Sequence, residues 1–299
     1  MDNLNGKRVI IWGCGNIGKR IFSSLYDRYN VDVVAYTDSK AENYQRGIYG
    51  IPVIEPFELS KIEYDYILIA VYSFSVIRSI QETLDSIGVP ENRIIILTLE
   101  SDFFDLLMDQ RLYWIRDFSR WCYMQKLEGN VAECGVFRGD TAKYMNGFFP
   151  DKKLYLFDTF EGFSESDIEY EMGLDEQEYI NGRYTNKNMF ADTDMDWLMR
   201  KMKNPDNIQI CKGYFPETAQ GIEDRYCFVN LDMDLYQPIL AGLKFFWNKM
   251  EKGGCILIHD YFHPELPGVK KALDDFEKDM NVVLNKVTIG DGCSIAIII

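Results

Sequence analysis

The residue types best suited to chemistry gather in one stretch of the chain. An apolar run from Tyr226 to Leu231 ends in Asp232-Met233-Asp234, and a second run, Cys255 to Ile258, ends in His259-Asp260-Tyr261. Carboxylates and an imidazole brought together can take the proton of a bound hydroxyl. The chain has two histidines, His259 and His263, and both lie here. His263, in a loop before Pro264, reads as a surface residue. Asp232, His259 and Asp260 read as one site, against the plainer alternative of a solvated strand edge or helix cap.

Such a site needs two strand ends side by side. Both runs are short and apolar apart from Asn230, the pattern of strands buried in a parallel sheet, and Ile239 to Met250 carries the helical spacing of a crossover between them. In an open α/β sheet ligands bind just beyond the carboxyl ends of the strands, where these residues fall. Upstream, Val131-Ala132-Glu133-Cys134-Gly135-Val136-Phe137-Arg138-Gly139 has the form E-x-G-x-x-x-G and runs into a helix at 141–148. The glycines let a ligand approach the backbone, and Glu133 can anchor an ammonium or the loop amides. Leu154 to Phe157 reads as the next strand. It ends in Asp158, at a distance past Gly139 that suits a ribose diol. At the C-terminus, 282–287, the turn Gly290-Asp291-Gly292 and 294–299 read as a hairpin. An antiparallel final strand marks the sheet that binds S-adenosylmethionine (AdoMet).

The first hundred residues carry a different glycine motif. Lys7 to Trp12 reads as a strand leading into Gly13-Cys14-Gly15-Asn16-Ile17-Gly18, with a helix from Lys19 to Tyr29. Gly13 suits the tight turn, Gly15 the approach of a diphosphate, and Gly18 close packing of helix on strand. Asp38, after the strand 32–36, sits where an acid meets a ribose hydroxyl. Further strands at 66–71 and 93–97 flank a helix at 76–87. A nucleotide is the implied ligand, the alternative being an empty pocket under a sharp turn. No histidine precedes position 259 and no Tyr-x-x-x-Lys pair follows the fourth strand, so hydride transfer lacks its partners. The stretch "AYTDSKAENYQRGIYGIPVI" resembles small nucleotide-binding modules attached to bacterial surface-sugar enzymes.

At 299 residues the chain suits two domains. The expected fold is α/β with two Rossmann-like domains. These are a small nucleotide-binding module at 1–100 and, after a helical connector at 101–127, an AdoMet-type sheet at 128–299. A net charge of −15 argues against nucleic acid and anionic membranes, both of which need basic patches. The seven cysteines show no C-x-x-C pairing and read as reduced core thiols. No leader or membrane span is evident, which points to the cytoplasm. Homo-oligomers are left open.

Six ordered motifs carry a resemblance. "VAECGVFRGDTAKYM", "LYLFDTFEGF", "CKGYFPET", "VNLDMDLYQP", "GGCILIHDY" and "PGVKKALDDF" resemble the macrocin O-methyltransferase family over about 112–299. The resemblance implies a class I methyltransferase fold, AdoMet as donor and a sugar hydroxyl in a small molecule as acceptor. It puts Glu133, Gly135, Val136, Phe137, Gly139, Asp158, Thr159, Lys212 and Gly213 around the donor. It also implies a magnesium-type ion held by Asp232, His259 and Asp260, with His259 standing where related sequences place a second acid. Magnesium prefers oxygen, whereas imidazole suits zinc, iron or manganese. Three readings follow: a metal with a mixed shell, magnesium on Asp232 and Asp260 with waters, or no metal and His259 as base. The acidic stretch 160–196 reads as a lid over the donor or as a solvated face. Two rivals remain: a non-catalytic two-module nucleotide sensor or scaffold, and an NAD-linked sugar oxidoreductase using the N-terminal module.

Overall fold

A computed structural model describes residues 4–99, 109–174 and 186–299. The chain divides into two compact units, Met1–Met108 and Asp109–Ile299. In the first, β1 (Arg8–Trp12), β2 (Asp32–Thr37), β3 (Val53–Ile54), β4 (Tyr66–Ile69) and β5 (Ile94–Ile96) form a parallel sheet in the order β3-β2-β1-β4-β5. Helix α1 (Asn16–Tyr29) follows the glycine turn. Helix α2 (Phe74–Ser86) starts two residues earlier than the periodicity suggests, because the Ser73 hydroxyl accepts the Val76 amide and caps it. At Gly13 the backbone has φ +120°, and a Cβ at Gly18 would overlap the Gly13 carbonyl oxygen. Strand β3, of two residues, is too short for a period to show.

The second unit opens with α3 (Gln110–Gln125), capped by Asp109, whose carboxylate accepts the Leu112 amide. The described part of the expected connector is thus a helix of this unit, Phe118 packing on Phe228; 101–108 lie outside the described residues. There follow β6 (Asn130–Cys134), α4 (Ala142–Phe148), β7 (Leu154–Asp158), α5 (Glu165–Leu174), α6 (Met195–Arg200), β8 (Ile208–Lys212), β9 (Tyr226–Leu231) and α7 (Tyr236–Phe246). The chain closes with β10 (Met250–Ile258), α8 (Pro267–Met280), β11 (Lys286–Thr288) and β12 (Ile295–Ile298). The sheet runs β11-β12-β10-β9-β6-β7-β8, with β12 antiparallel to both of its neighbours, so the expected terminal hairpin is present. Gly253-Gly254 lies inside β10, where its pairing with β9 shifts register.

Register decides what the sheet can do. Cys134 pairs with Phe157 on one side and Leu231 on the other, and Leu231 pairs with Ile258. The next residue on each strand, namely Gly135, Asp158, Asp232 and His259, therefore stands at one level at this end of the sheet. Strands β6 and β9 are adjacent while their sequels run outward in opposite directions, which makes this end the switch point where ligands bind.

The described part of the acidic stretch after β7 includes a helix that is solvated on one face and packed on the other. Helix α5 buries Asp167 and Glu171. Tyr214 donates to Asp167, and Glu171 accepts the backbone amides of Tyr236 and Gly268, both at 2.8 Å. These amides belong to the first turns of α7 and α8, whose donors have no partners within the helix, so one carboxylate caps two helices. A Cβ at Gly268 would overlap that carboxylate. Glu171→Ala is expected to lower stability by about 1–3 kcal/mol in urea unfolding, the cost of leaving buried amides unpaired. An unchanged midpoint would show that the cap contributes nothing.

Candidate active site

The loop between β6 and α4 is built on backbone conformations that side chains tolerate poorly. Gly135 has φ +84°, and a Cβ there would overlap the Asp232 carbonyl oxygen; Gly139 has φ +74° against Leu198. Val136 and Phe137 present their amides to one oxygen of Asp158, at 2.6 and 2.8 Å. The other oxygen accepts the Phe160 amide at 2.6 Å. Asp158 is therefore first a brace for this loop. Its doubly engaged oxygen has no room for a ligand, which leaves the second oxygen for a single ribose hydroxyl rather than two.

The remaining expected donor residues divide. Thr159 and Gly213 line the cavity at this sheet end, although the Thr159 hydroxyl already donates to the Gly162 carbonyl. Lys212 is exposed and pairs with Glu161 at 3.0 Å, so it does not join the site. Its position at the end of the edge strand turns it away. The cavity encloses about 340 Å³, a volume suited to a small ligand. Phe137, Phe163 and Phe190 form one aromatic wall, with edge-to-face contacts at 5.0 and 5.4 Å. Phe163 and Phe190 come from the acidic stretch, where composition gave no sign of them.

On the other side, Glu133 is 1% exposed. One of its oxygens accepts from Asn230 at 3.0 Å and the other has no hydrogen-bond partner. Burial first, then repulsion from Asp232, pushes its carboxyl up to about 8, against the opposing pull of Arg111 and Asn230. Beside it Asp232 is braced twice, by the Arg111 guanidinium at 2.8 Å and by His259 Nδ1 at 2.9 Å. Burial opposes the charge on Asp232, but these two cations outweigh it and hold the carboxyl well below the usual range. The same His259 nitrogen lies 2.7 Å from Asp260, and burial of the ring is overcome by both carboxylates, which push it up to about 12. At neutral pH the ring is a cation in this setting and not a base. Asp234 also lines the cavity; burial, then its neighbours Asp260 and Asp232, raise its carboxyl well above the usual value.

Residues 104–294, more than half of the chain, match the macrocin-O-methyltransferase (TylF) family. The chain belongs to that family. Residues 5–95 match a separate family, C2185-like, N-terminal, so the likeness drawn there to modules of surface-sugar enzymes is not what this match describes. Demethyldecarbamoylnovobiocin O-methyltransferase of Streptomyces niveus is 22% identical over 174 residues, covering 54% of this chain and 63% of that protein. The match thus spans less than two thirds of that relative. The O-methyltransferase NovP superposes with a TM-score of 0.54 at 20% identity, over 64% of this chain and 81% of its own. A calicheamicin methyltransferase gives 0.53 at 16% identity, over 75% and 91%. At these identities the two structures speak to fold alone. No helix among the described residues is long and apolar enough to cross a membrane.

For this TylF-family chain the donor set does not fit magnesium. Magnesium takes an octahedral shell of oxygens. Here each oxygen of Asp232 already faces a cationic group, Arg111 or His259, whose charge opposes a metal ion at the same carboxylate, and one of the three expected ligands is an imidazole. Among the described residues, the ligand atoms lying within 4.8 Å of one another are those of His259, Asp260 and Cys293, without Asp232. Arg111 and Cys293 are the residues that sequence reasoning left out, and Asp234, noted there beside Asp232, was given no role of its own.

Glu133 yields a pH prediction. With its carboxyl near 8 it is protonated at neutral pH, and a bound cation would draw the proton off, so binding of a cationic ligand should release a proton. Asp232, Arg111 and Asp158 are the other charged groups acting on it or facing it. Affinity for AdoMet is expected to rise severalfold between about pH 6 and about pH 7.5, since a tenfold change in the ionised fraction of a carboxyl corresponds to about 1.4 kcal/mol. Calorimetry in buffers of different ionisation heat reads the proton directly. A pH-independent affinity in the wild type, or the same slope in Glu133→Gln, would rule the coupling out.

Proposed function

We propose that the chain is an AdoMet-dependent O-methyltransferase acting on a hydroxyl of a sugar or glycoside. The observation that carries the reading is the register of the sheet: the glycine loop with its acids Glu133 and Asp158, and the group Asp232, Asp234, His259 and Asp260, open into one cavity. In this reading the donor's ammonium meets the unpaired oxygen of Glu133, one ribose hydroxyl meets Asp158, and the adenine lies against the phenylalanine wall. The acceptor hydroxyl lies on the Asp232 side. Its proton passes to Asp234, the C–S bond of the sulfonium breaks as the new C–O bond forms, and neutral S-adenosylhomocysteine leaves. Asp232, tied to Arg111 and His259, orients rather than accepts a proton, and the two cations offset the charge growing on the oxygen. Membership of the family supports oxygen as the acceptor, and the sugar follows the resemblance in the motifs.

The test is incubation with methyl-deuterated AdoMet and a panel of nucleotide sugars and glycosides. The expected product is one acceptor heavier by a single labelled methyl, with an equal amount of S-adenosylhomocysteine. Label on protein or on nitrogen alone would overturn the reading. In the first unit we propose a separate phosphate-bearing ligand at Gly15, where a Cβ would meet nothing within 4 Å. Asp38 there already accepts the Cys14 and Lys40 amides and so serves the turn first. Gly15→Val is expected to abolish any nucleotide-induced rise in melting temperature while sparing AdoMet affinity. A rise that persists in the variant would count against the site.

A further inference from the structure

The glycine loop between β6 and α4 is held from a second side by a lysine that stands outside the cavity. Gly135 and Gly139 have left-handed backbone, and so does Phe137 between them, with φ +50°. A residue with a β-carbon keeps that conformation only where its surroundings impose it. On one side Asp158 accepts the amides of Val136 and Phe137. On the other, Lys201 Nζ donates to the Arg138 carbonyl at 2.8 Å and to the Asp140 carboxylate at 2.7 Å. An anion thus faces the N–H groups of the loop and a cation faces its carbonyl.

Helix α6 places the lysine, which follows its last residue, Arg200. The Lys201 side chain is 0% exposed, and a buried ammonium persists only with partners. Both of these partners belong to the loop. Arg138 strengthens the join, since its guanidinium donates to the Asp192 carbonyl and carboxylate at 3.0 and 2.6 Å and lies 4.3 Å from the Phe137 ring centre. Phe137, Arg138 and Asp140 line the cavity, whereas Lys201 does not.

We propose that Lys201 is a positioning residue for the methyl donor: without touching the ligand, it fixes the left-handed turn at Phe137 and so the ring against which the adenine lies. Its contribution is to geometry more than to stability. The Asp140 side chain is 33% exposed and is satisfied by water without the lysine, and exchanging a buried ion-pair partner for an apolar group of similar volume is often neutral. The use of the turn in donor binding rests on the proposed function; the hold of Lys201 on the turn does not.

Lys201→Met keeps the length of the side chain and removes the ammonium, and two measurements on the full chain read the result. Without ligand, amide hydrogen exchange of peptides covering 134–141 should become at least about tenfold faster, with exchange in β9 and β10 and the urea midpoint close to wild type. In calorimetry the variant should bind AdoMet at one site per chain but at least about tenfold more weakly. A merely destabilised protein would instead show fewer sites at the wild-type affinity. Lys201→Gln, which also leaves no charge to bury, carries the same expectation and serves where the methionine variant does not fold. Unchanged exchange in the loop, unchanged affinity, faster exchange spread through β9 and β10, or failure of both variants to fold would overturn the proposal. A wild type that binds no AdoMet, with loop exchange still responding to Lys201, would refute the methyltransferase reading and leave the hold on the loop standing.

Discussion

Asp234→Asn is expected to slow methyl transfer by about 10²- to 10⁴-fold, the usual worth of a positioned proton acceptor, while AdoMet affinity stays within about twofold of wild type. The expectation comes from the division of labour among the carboxylates. Asp232 is locked between Arg111 and His259, and Asp260 is shared by His259 and Cys293. Asp234 lines the same cavity and borders Asp260. Asp232→Asn should behave differently, because it takes the carboxylate from the half-buried Arg111 and one of two from His259, and so lowers stability as well as turnover. If Asp234→Asn keeps full turnover, the proton leaves by another route and the mechanism fails at that step.

Gly135→Ala should be the most damaging change in the donor loop. The left-handed backbone costs an alanine about 1 kcal/mol or more, and the overlap of its methyl with the Asp232 carbonyl adds about 1–3 kcal/mol. The expected outcome is a loss of about 2–4 kcal/mol in chemical unfolding, together with loss of AdoMet binding, since the same movement parts the loop from Asp232. Gly15→Ala, where the added carbon meets nothing, is the control and should be close to neutral. Equal effects in the two variants would mean that close backbone approach at Gly135 is not what shapes the loop.

The sheet of the second unit was legible because its strands are short apolar runs bounded by glycine turns and acids, and because the terminal hairpin carries its own Gly-Asp-Gly turn. With the strands known, parallel register brings Gly135, Asp158, Asp232 and His259 to one level, so the core of the site was legible too. Arg111 was not, because it reaches Asp232 across 121 residues of chain from a helix that reads as a connector. Cys293 escapes notice for a similar reason: beside a turn it reads as one more thiol, and only the antiparallel pairing of β12 with β10 sets it against Asp260. Asp158 stands in the expected place with a different first role, since spacing suggests a ribose acid but cannot reveal that three loop amides use it first. Lys212 is the opposite case, a motif position whose side chain pairs with the exposed Glu161 in this structure. Glu171 lies in a stretch whose composition says only that it is acidic, and its use as a double helix cap depends on where α7 and α8 begin.

The central claim is that the second unit holds AdoMet between the glycine loop and Asp158. Calorimetric titration of AdoMet into the full chain and into Asp158→Ala tests it most directly. One site per chain is expected in the wild type, weakened in the variant by about 1–3 kcal/mol as the loop amides lose their acceptor. No binding heat up to millimolar AdoMet, or an affinity that Asp158→Ala leaves unchanged, would contradict the account.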